Sequence, residues 1–263
     1  MFTKEQLKEQ MRQMGLKSTD TVLIHTSMKA VGEVENGADG LIDAFCEYLS
    51  DGLFLVPTHT WASIWKEKPR YDVNKEVPCV GIVPVRAAFR PDGIRSLHPT
   101  HSVWAHGADA EEFVRGEEKA TSPGQPGFLW SRLPSRQTKI LLIGVTNARN
   151  TFIHAVEELA DIPDRLGEPY DTVLVDRDGK EYPGKMCGHK CSRTNDVSQF
   201  FVNFEKPMVE LGAQTFGKLG NAQVRIVDAQ KCQDVVLRCS ARADRDLCVE
   251  LLDIPAEWYR EEA

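Results

Sequence analysis

Three short apolar runs constrain the fold of this chain more than any other feature: Thr21–His25 (TVLIH), Leu53–Pro57 (LFLVP) and Lys139–Val145 (KILLIGV). Each has the length of a strand and almost no polar interruption, the pattern of strands buried in a sheet covered on both sides. Lys139–Val145 is the clearest of the three. Helical spacing lies before and between them. Leu7, Met11 and Met14 recur on one face of residues 4–15, which Gly15 stops, and Ala38–Leu49 and Val80–Phe89 also read as helices, with Thr26–Gly32 as a loop. Arg90–Pro134 is irregular apart from a strand at Ser102–His106 and a helical patch at Ala108–Glu118. After the strongest strand, Asn150–Leu159 starts a helix that Asn150 or Thr151 can cap. Asp171–Asp176 and Lys180–Tyr182 flank Arg177-Asp178-Gly179, a hairpin turn. Phe200–Leu219 reads as helix and Gln223–Asp228 as strand; Ala229–Leu237 and Ala243–Leu252 supply further short elements. Strand followed by helix, with one hairpin inserted, predicts an α/β chain: a three-layer α/β/α sandwich on a mostly parallel or mixed sheet. With no linker, repeat or low-complexity segment, residues 1–263 read as a single domain.

Composition narrows the partners. The net charge is -7, from 39 acidic and 32 basic side chains, without the concentrated basic stripe of a nucleic-acid binder. An acidic surface suits a cationic small molecule. No apolar run approaches the roughly 20 residues needed to span a bilayer. The N-terminus lacks the apolar core of a secretory signal. The seven cysteines follow no framework spacing and read as reduced thiols of a cytoplasmic protein, monomeric or homodimeric.

Five segments carry chemistry-bearing side chains. His25-Thr26-Ser27-Met28-Lys29 and Pro57-Thr58-His59-Thr60 each follow an apolar strand, where ligands gather in open α/β sheets and where backbone amides can meet a phosphate or a developing oxyanion. Either could equally be turn and cap chemistry. Arg95-Ser96-Leu97-His98-Pro99-Thr100-His101-Ser102 offers a guanidinium, hydroxyls and two imidazoles. Arginine suits phosphate. His98 and His101 lack a nearby carboxylate or cysteine, and Pro99 denies them a shared helical face, so zinc is disfavoured. In Thr151-Phe152-Ile153-His154-Ala155-Val156-Glu157-Glu158, His154 and Glu157 are three apart and share a helical face. A carboxylate fixes the orientation of an imidazole, the equipment of a general base. Cys187-Gly188-His189-Lys190-Cys191 has the wrong cysteine spacing for a zinc knuckle, and nothing beside it would activate a thiol nucleophile. No metal is expected. GxxxxGK[ST], GxSxG, HExxH and a GxGxxG after a strand are all missing.

In combination, Val22–Gly32, Leu55–Thr58, Arg95–Gly107, Ser122-Pro123, Ile140–Val145 and Thr151–Glu158 resemble the aminoglycoside 3-N-acetyltransferase family, in its order and at similar spacing. The resemblance implies acetyl-CoA as donor and direct transfer to a primary amine, the 3-amino group of the 2-deoxystreptamine ring of an aminoglycoside. It makes His154 the general base and Glu157 the acid of a T-x-x-H-x-x-E motif, with Glu158 a second candidate acid. It places His25, Ser27, Met28, Lys29, Thr58, Arg95, Ser96 and Ser102 around the donor. Residues 165–198 fall where the acceptor is expected to bind. A pocket for polycations should carry acids, for which Asp72, Asp161, Asp164 and Asp196 are candidates. The alternatives are the same chemistry on another amine, or a non-catalytic protein that binds zinc or another ligand.

Overall fold

The computed structural model describes residues 1–107 and 109–260, so part of the expected patch at Ala108–Glu118 lies outside them. In chain order the elements are α1 (Lys4–Gln13), β1 (Thr21–Thr26), α2 (Met28–Val31), α3 (Gly37–Tyr48), β2 (Leu53–Pro57), β3 (Arg70–Asp72), α4 (Ile82–Ala88), β4 (Ile94–Arg95) and β5 (Val103–Gly107). There follow α5 (Ala110–Val114), β6 (Lys139–Ile143), α6 (Phe152–Leu159), β7 (Tyr170–Val175), β8 (Glu181–Met186), α7 (Glu205–Glu210), β9 (Gln214–Leu219), β10 (Ala222–Asp228) and α8 (Ala229–Arg242).

The main sheet has seven strands in the order β4-β5-β2-β1-β6-β10-β9. The three apolar runs are its centre: β2, β1 and β6 are parallel, with Leu23 opposite both Leu55 and Ile140. All further pairings in this sheet are antiparallel. Because side chains alternate across a strand, each run feeds two cores. Leu23, Leu55, Ile140 and Leu142 pack with α6 and α8 on one face. Val22, Ile24, Leu141 and Ile143 pack with α1, α3 and α4 on the other. The result is the expected α/β/α sandwich on a mixed sheet. Gly144 ends the central run at φ +67°, and a Cβ there would lie 2.3 Å from the Ala30 side chain. Only glycine lets β6 turn away this tightly.

Several local expectations need correction. The hairpin β7–β8 forms around the expected turn but is not alone: β3 pairs in parallel with β7 to give a second, three-stranded sheet. Thr26–Gly32 is no plain loop, since Ser27 caps the short helix α2 by accepting from the Ala30 amide at 3.3 Å. Phe200–Leu219 is not one helix. It holds a 3-10 segment (Val197–Phe204), then α7, then the edge strand β9. Gly212, at φ +67°, stops the helical part. Beyond α8 no regular element covers residues 243–252. No helix among the described residues is long and apolar enough to cross a membrane.

A histidine-lined candidate active site

The carboxyl ends of β1, β2 and β6 open on one rim of the sheet, and a cavity of about 730 Å³ lies there. Its wall takes His25, Thr26 and Ser27 from the end of β1, Pro57 and His59 from β2, Arg149 and Thr151 from the β6–α6 connection, and His154 from α6. Residues 188–191 and 194–198 close one side.

His154 stands one turn into α6 and is only 9 % exposed. Its Nδ1 lies 3.1 Å from Glu157 Oε2. An ionised carboxylate accepts, so Nδ1 carries the proton and Nε2, which has no protein partner, is the nitrogen able to meet a substrate. Glu157 is itself held, its Oε1 accepting from Arg165 Nε at 2.5 Å. Arg165 donates onward to Asp246 at 2.6 Å, and Arg193 pairs with the other Asp246 oxygen. Glu158 points elsewhere: it accepts from Ser122 Oγ and, at 2.6 Å, from the Gly124 amide. Burial pushes its carboxyl above the ordinary range. The two acids are thus separated by direction. Glu157 orients His154, while Glu158 holds the Ser122–Gly124 turn against α6. That turn sits so close that a Cβ on Gly124 would lie 2.5 Å from Ala155 Cα.

Five of the seven histidines line this cavity, and His98 packs behind His101. The His189 ring lies on that of His154, centroids 3.9 Å apart and planes 25° from parallel. Phe201 meets His154 edge-on. His101 lies 5.0 Å from His189 and 4.6 Å from His59. His98 donates from Nε2 to the Ser122 carbonyl at 3.2 Å and accepts the His101 amide on Nδ1 at 2.9 Å, which fixes its neutral tautomer. Burial holds His25 down to about 3 and His98 to about 4. Burial, then neighbouring imidazoles, keep His59, His101 and His189 well below the ordinary histidine value. His25 Nε2, His59 Nδ1 and both nitrogens of His189 are buried without a hydrogen-bond partner. Such groups are costly unless something meets them. Neutral nitrogens on a cavity wall fit a polar, uncharged ligand chain, and the exposed Arg149 stands on the same wall.

Other expected donor residues are placed differently. Arg95 is 3 % exposed and does not line the cavity. Its guanidinium donates to the carbonyls of Glu76 (2.6 Å) and Thr58 (3.0 Å) and to the hydroxyls of Thr58 and Ser102 (3.2 Å each), with Tyr71 against its face. Ser96 Oγ accepts from the Val103 amide. These four residues fasten the loops behind the cavity wall, and their hydrogen-bonding groups are spent there. Met28 packs against the second core and Lys29 faces solvent. Of the backbone amides in the Ser27–Lys29 turn, expected as oxyanion donors, that of Ser27 already donates to the Ile143 carbonyl at 2.9 Å. Thr151 stands at the start of α6 without capping it, since its hydroxyl turns to His59 Nε2 at 3.1 Å, and Asn150 bonds Asn147 instead.

Of the four candidate acceptor acids, only Asp196 lines the cavity. Asp72 pairs with Lys75, Asp164 accepts from Ser192, and Asp161 sits in a left-handed turn outside it. Sequence reasoning passed over Trp61, Trp65 and Tyr170, which complete the wall. Their loops carry no motif that would mark them. His59 stood in the Pro57–Thr60 segment and His189 in the cysteine–histidine segment, but nothing local ties either to His154. Among the described residues Cys46, Asp92 and His106 form a possible metal grouping away from the cavity. Arg90 already holds the Asp92 carboxylate, and burial pushes the Cys46 thiol up to about 12.

Comparison with known proteins agrees with this geometry. Residues 23–239 match the family described as aminoglycoside 3-N-acetyltransferase. The chain is 26% identical to aminoglycoside N(3)-acetyltransferase IX of Micromonospora chalcea, covering 86% of this chain and 89% of that protein. It is 27% identical to an aminoglycoside N(3)-acetyltransferase III of Salmonella sp, with 90% and 89% covered. The fold superimposes on aminoglycoside acetyltransferase AAC(3)-Xa with a TM-score of 0.79 at 22% identity, covering 90% of this chain and 92% of that one. It also matches AAC-IIIb in binary complex with CoASH, TM-score 0.77 at 20% identity, with 90% and 95% covered. The match to residues 23–239 spans most of the sequence, and the chain belongs to the aminoglycoside 3-N-acetyltransferase family.

Proposed function

We propose that the chain is an acetyl-CoA-dependent N-acetyltransferase that moves the acetyl group directly onto a primary amine, with the 3-amino group of an aminoglycoside as the acceptor its family is named for. The observation that carries this reading is His154 on the cavity wall with Glu157 behind it, Nδ1 held and Nε2 free. An amine attacks only when neutral, and most amines are protonated near pH 7. His154 Nε2 takes a proton from the attacking nitrogen as the N–C bond forms and the C–S bond breaks. The departing sulfur then recovers a proton from the imidazolium. Glu157 keeps Nδ1–H in place throughout and stabilises the charged ring. Arg165 holds Glu157 in place through its Nε. The buried neutral nitrogens of His25 and His59 face the donor, and residues 165–198 lie on the acceptor side. The chain acts as one domain in this reading.

Release of free thiol from acetyl-CoA in the presence of an aminoglycoside tests it. His154→Ala should lower turnover on the order of 100- to 10,000-fold, the usual worth of a positioned base. Retention of most of the turnover by that variant would sink the proposal.

A further inference from the structure

We infer that Trp61 and Trp65 are the residues by which this chain recognises its acceptor: their open indole faces receive the ammonium groups of an aminoglycoside that do not react. The inference rests on the acetyl-transfer reading and names residues of its acceptor side.

The two sides of the cavity differ. His25 and Ser27 stand at the end of β1, with Arg149 near enough to His25 for its charge to act on that ring. Trp61, Ile64, Trp65 and Tyr170 belong to the side of the three-stranded sheet. Ile64 packs with Tyr71, Val73 and Leu174, and Tyr170 begins β7. The tryptophan loop is thereby anchored to the sheet that holds β7 and β8, which fall within residues 165–198.

An aminoglycoside carries several ammonium groups. Each one that enters the cavity needs a partner, because an unpaired buried charge is expensive. Carboxylates supply little of that here. Among the described residues Asp196 is the one acid on the wall, and its Oδ1 already accepts from the Ser198 amide at 3.0 Å and the Ser198 hydroxyl at 2.6 Å. Near the base, Glu157 is matched to His154 and Arg165, Glu158 to Ser122 and Gly124, and Asp246 to Arg165 and Arg193.

The rings fill the gap. Trp61 is 51% exposed and Trp65 44% exposed, both on the cavity wall. Of the aromatic side chains, tryptophan attracts a cation to its face most strongly, through the negative charge of its π system. His189 adds a lone pair on the same wall. Burial keeps its ring neutral, so one of its two nitrogens accepts, and neither has a protein partner.

Steady-state thiol release with sisomicin under saturating acetyl-CoA tests the inference. Replacing both rings, Trp61→Leu with Trp65→Leu, keeps apolar surface and removes the π faces. It should raise KM for sisomicin about tenfold or more and leave kcat within about threefold, the pattern of lost binding rather than lost chemistry. Trp61→Phe with Trp65→Phe keeps two aromatic faces and should hold KM within about threefold of the unaltered protein. Both side chains are open to solvent, so the variants should fold, which thermal unfolding checks. An unmoved KM in the leucine variant overturns the inference, and so do equal losses in the leucine and phenylalanine variants, which would mean apolar packing alone. If the unaltered protein releases no thiol with sisomicin, the acetyl-transfer reading fails instead. Calorimetry of sisomicin on the CoA-bound protein then decides the tryptophans' role alone: affinity lost in the leucine variant and kept in the phenylalanine variant supports it, and any other result, absence of binding included, overturns it.

Discussion

Glu157 and Glu158 are adjacent in sequence and do unrelated work, because one residue along a helix turns a side chain by about 100°. In Glu157→Gln the amide oxygen stays with Arg165 and the NH2 faces His154 Nδ1. The ring must then accept on Nδ1 and carry its proton on Nε2, the wrong tautomer for a base. We expect kcat to fall on the order of 100-fold or more with KM changed far less, read from steady-state thiol release. Glu158→Gln should leave kcat per folded molecule within a few fold. It weakens the hold on Ser122 and Gly124 and costs about 1–3 kcal/mol of stability, read from urea unfolding. Spacing made the His154–Glu157 contact legible, since i and i+3 meet on any helix. The His189 contact was not legible, because it needs residues 188–198 to fold back over α6, and no local pattern encodes that return.

Among the elements, the parallel trio β2, β1 and β6 was readable because each strand is apolar throughout. The short strands β3 and β4 were not, since two or three residues carry no periodicity, and β9 was hidden behind a helical pattern that runs on to Leu211. Arg95 shows how residue type misleads about role. A guanidinium beside serines suggests phosphate, yet here it holds β2, β4 and the loop before β5 together through buried carbonyls and hydroxyls. Arg95→Ala would strand those acceptors and should cost about 2–5 kcal/mol, lowering the midpoint of thermal unfolding. The fraction that remains folded should bind acetyl-CoA within a few fold of the unaltered protein. A large, selective loss of coenzyme affinity at full stability would return Arg95 to the donor site.

At the scale of the molecule, the buried histidines link folding to acid. His98, 1 % exposed, titrates at about 4 when folded against an unperturbed 6.5, so the unfolded chain takes up its proton first. The stability this residue contributes is complete above pH 6.5 and is lost as pH falls toward 4, about 3 kcal/mol in all. His25, His59, His101 and His189 shift in the same direction and steepen the fall. Thermal unfolding between pH 7.5 and 4.5 should show a midpoint that drops below pH 6.5 with net proton uptake; a flat profile would show those rings charged or solvated in the native state.

Asp246 belongs to the segment after α8 that has no regular structure of its own, yet through Arg165 and Glu157 it is only three contacts from the imidazole. The irregular tail is therefore wired to the chemistry more directly than most of the sheet. A nick near residue 244, or a lysine in place of Arg165 that spans only one of the two acids, would leave a sandwich intact to every spectroscopic eye and yet let the reacting ring swing loose.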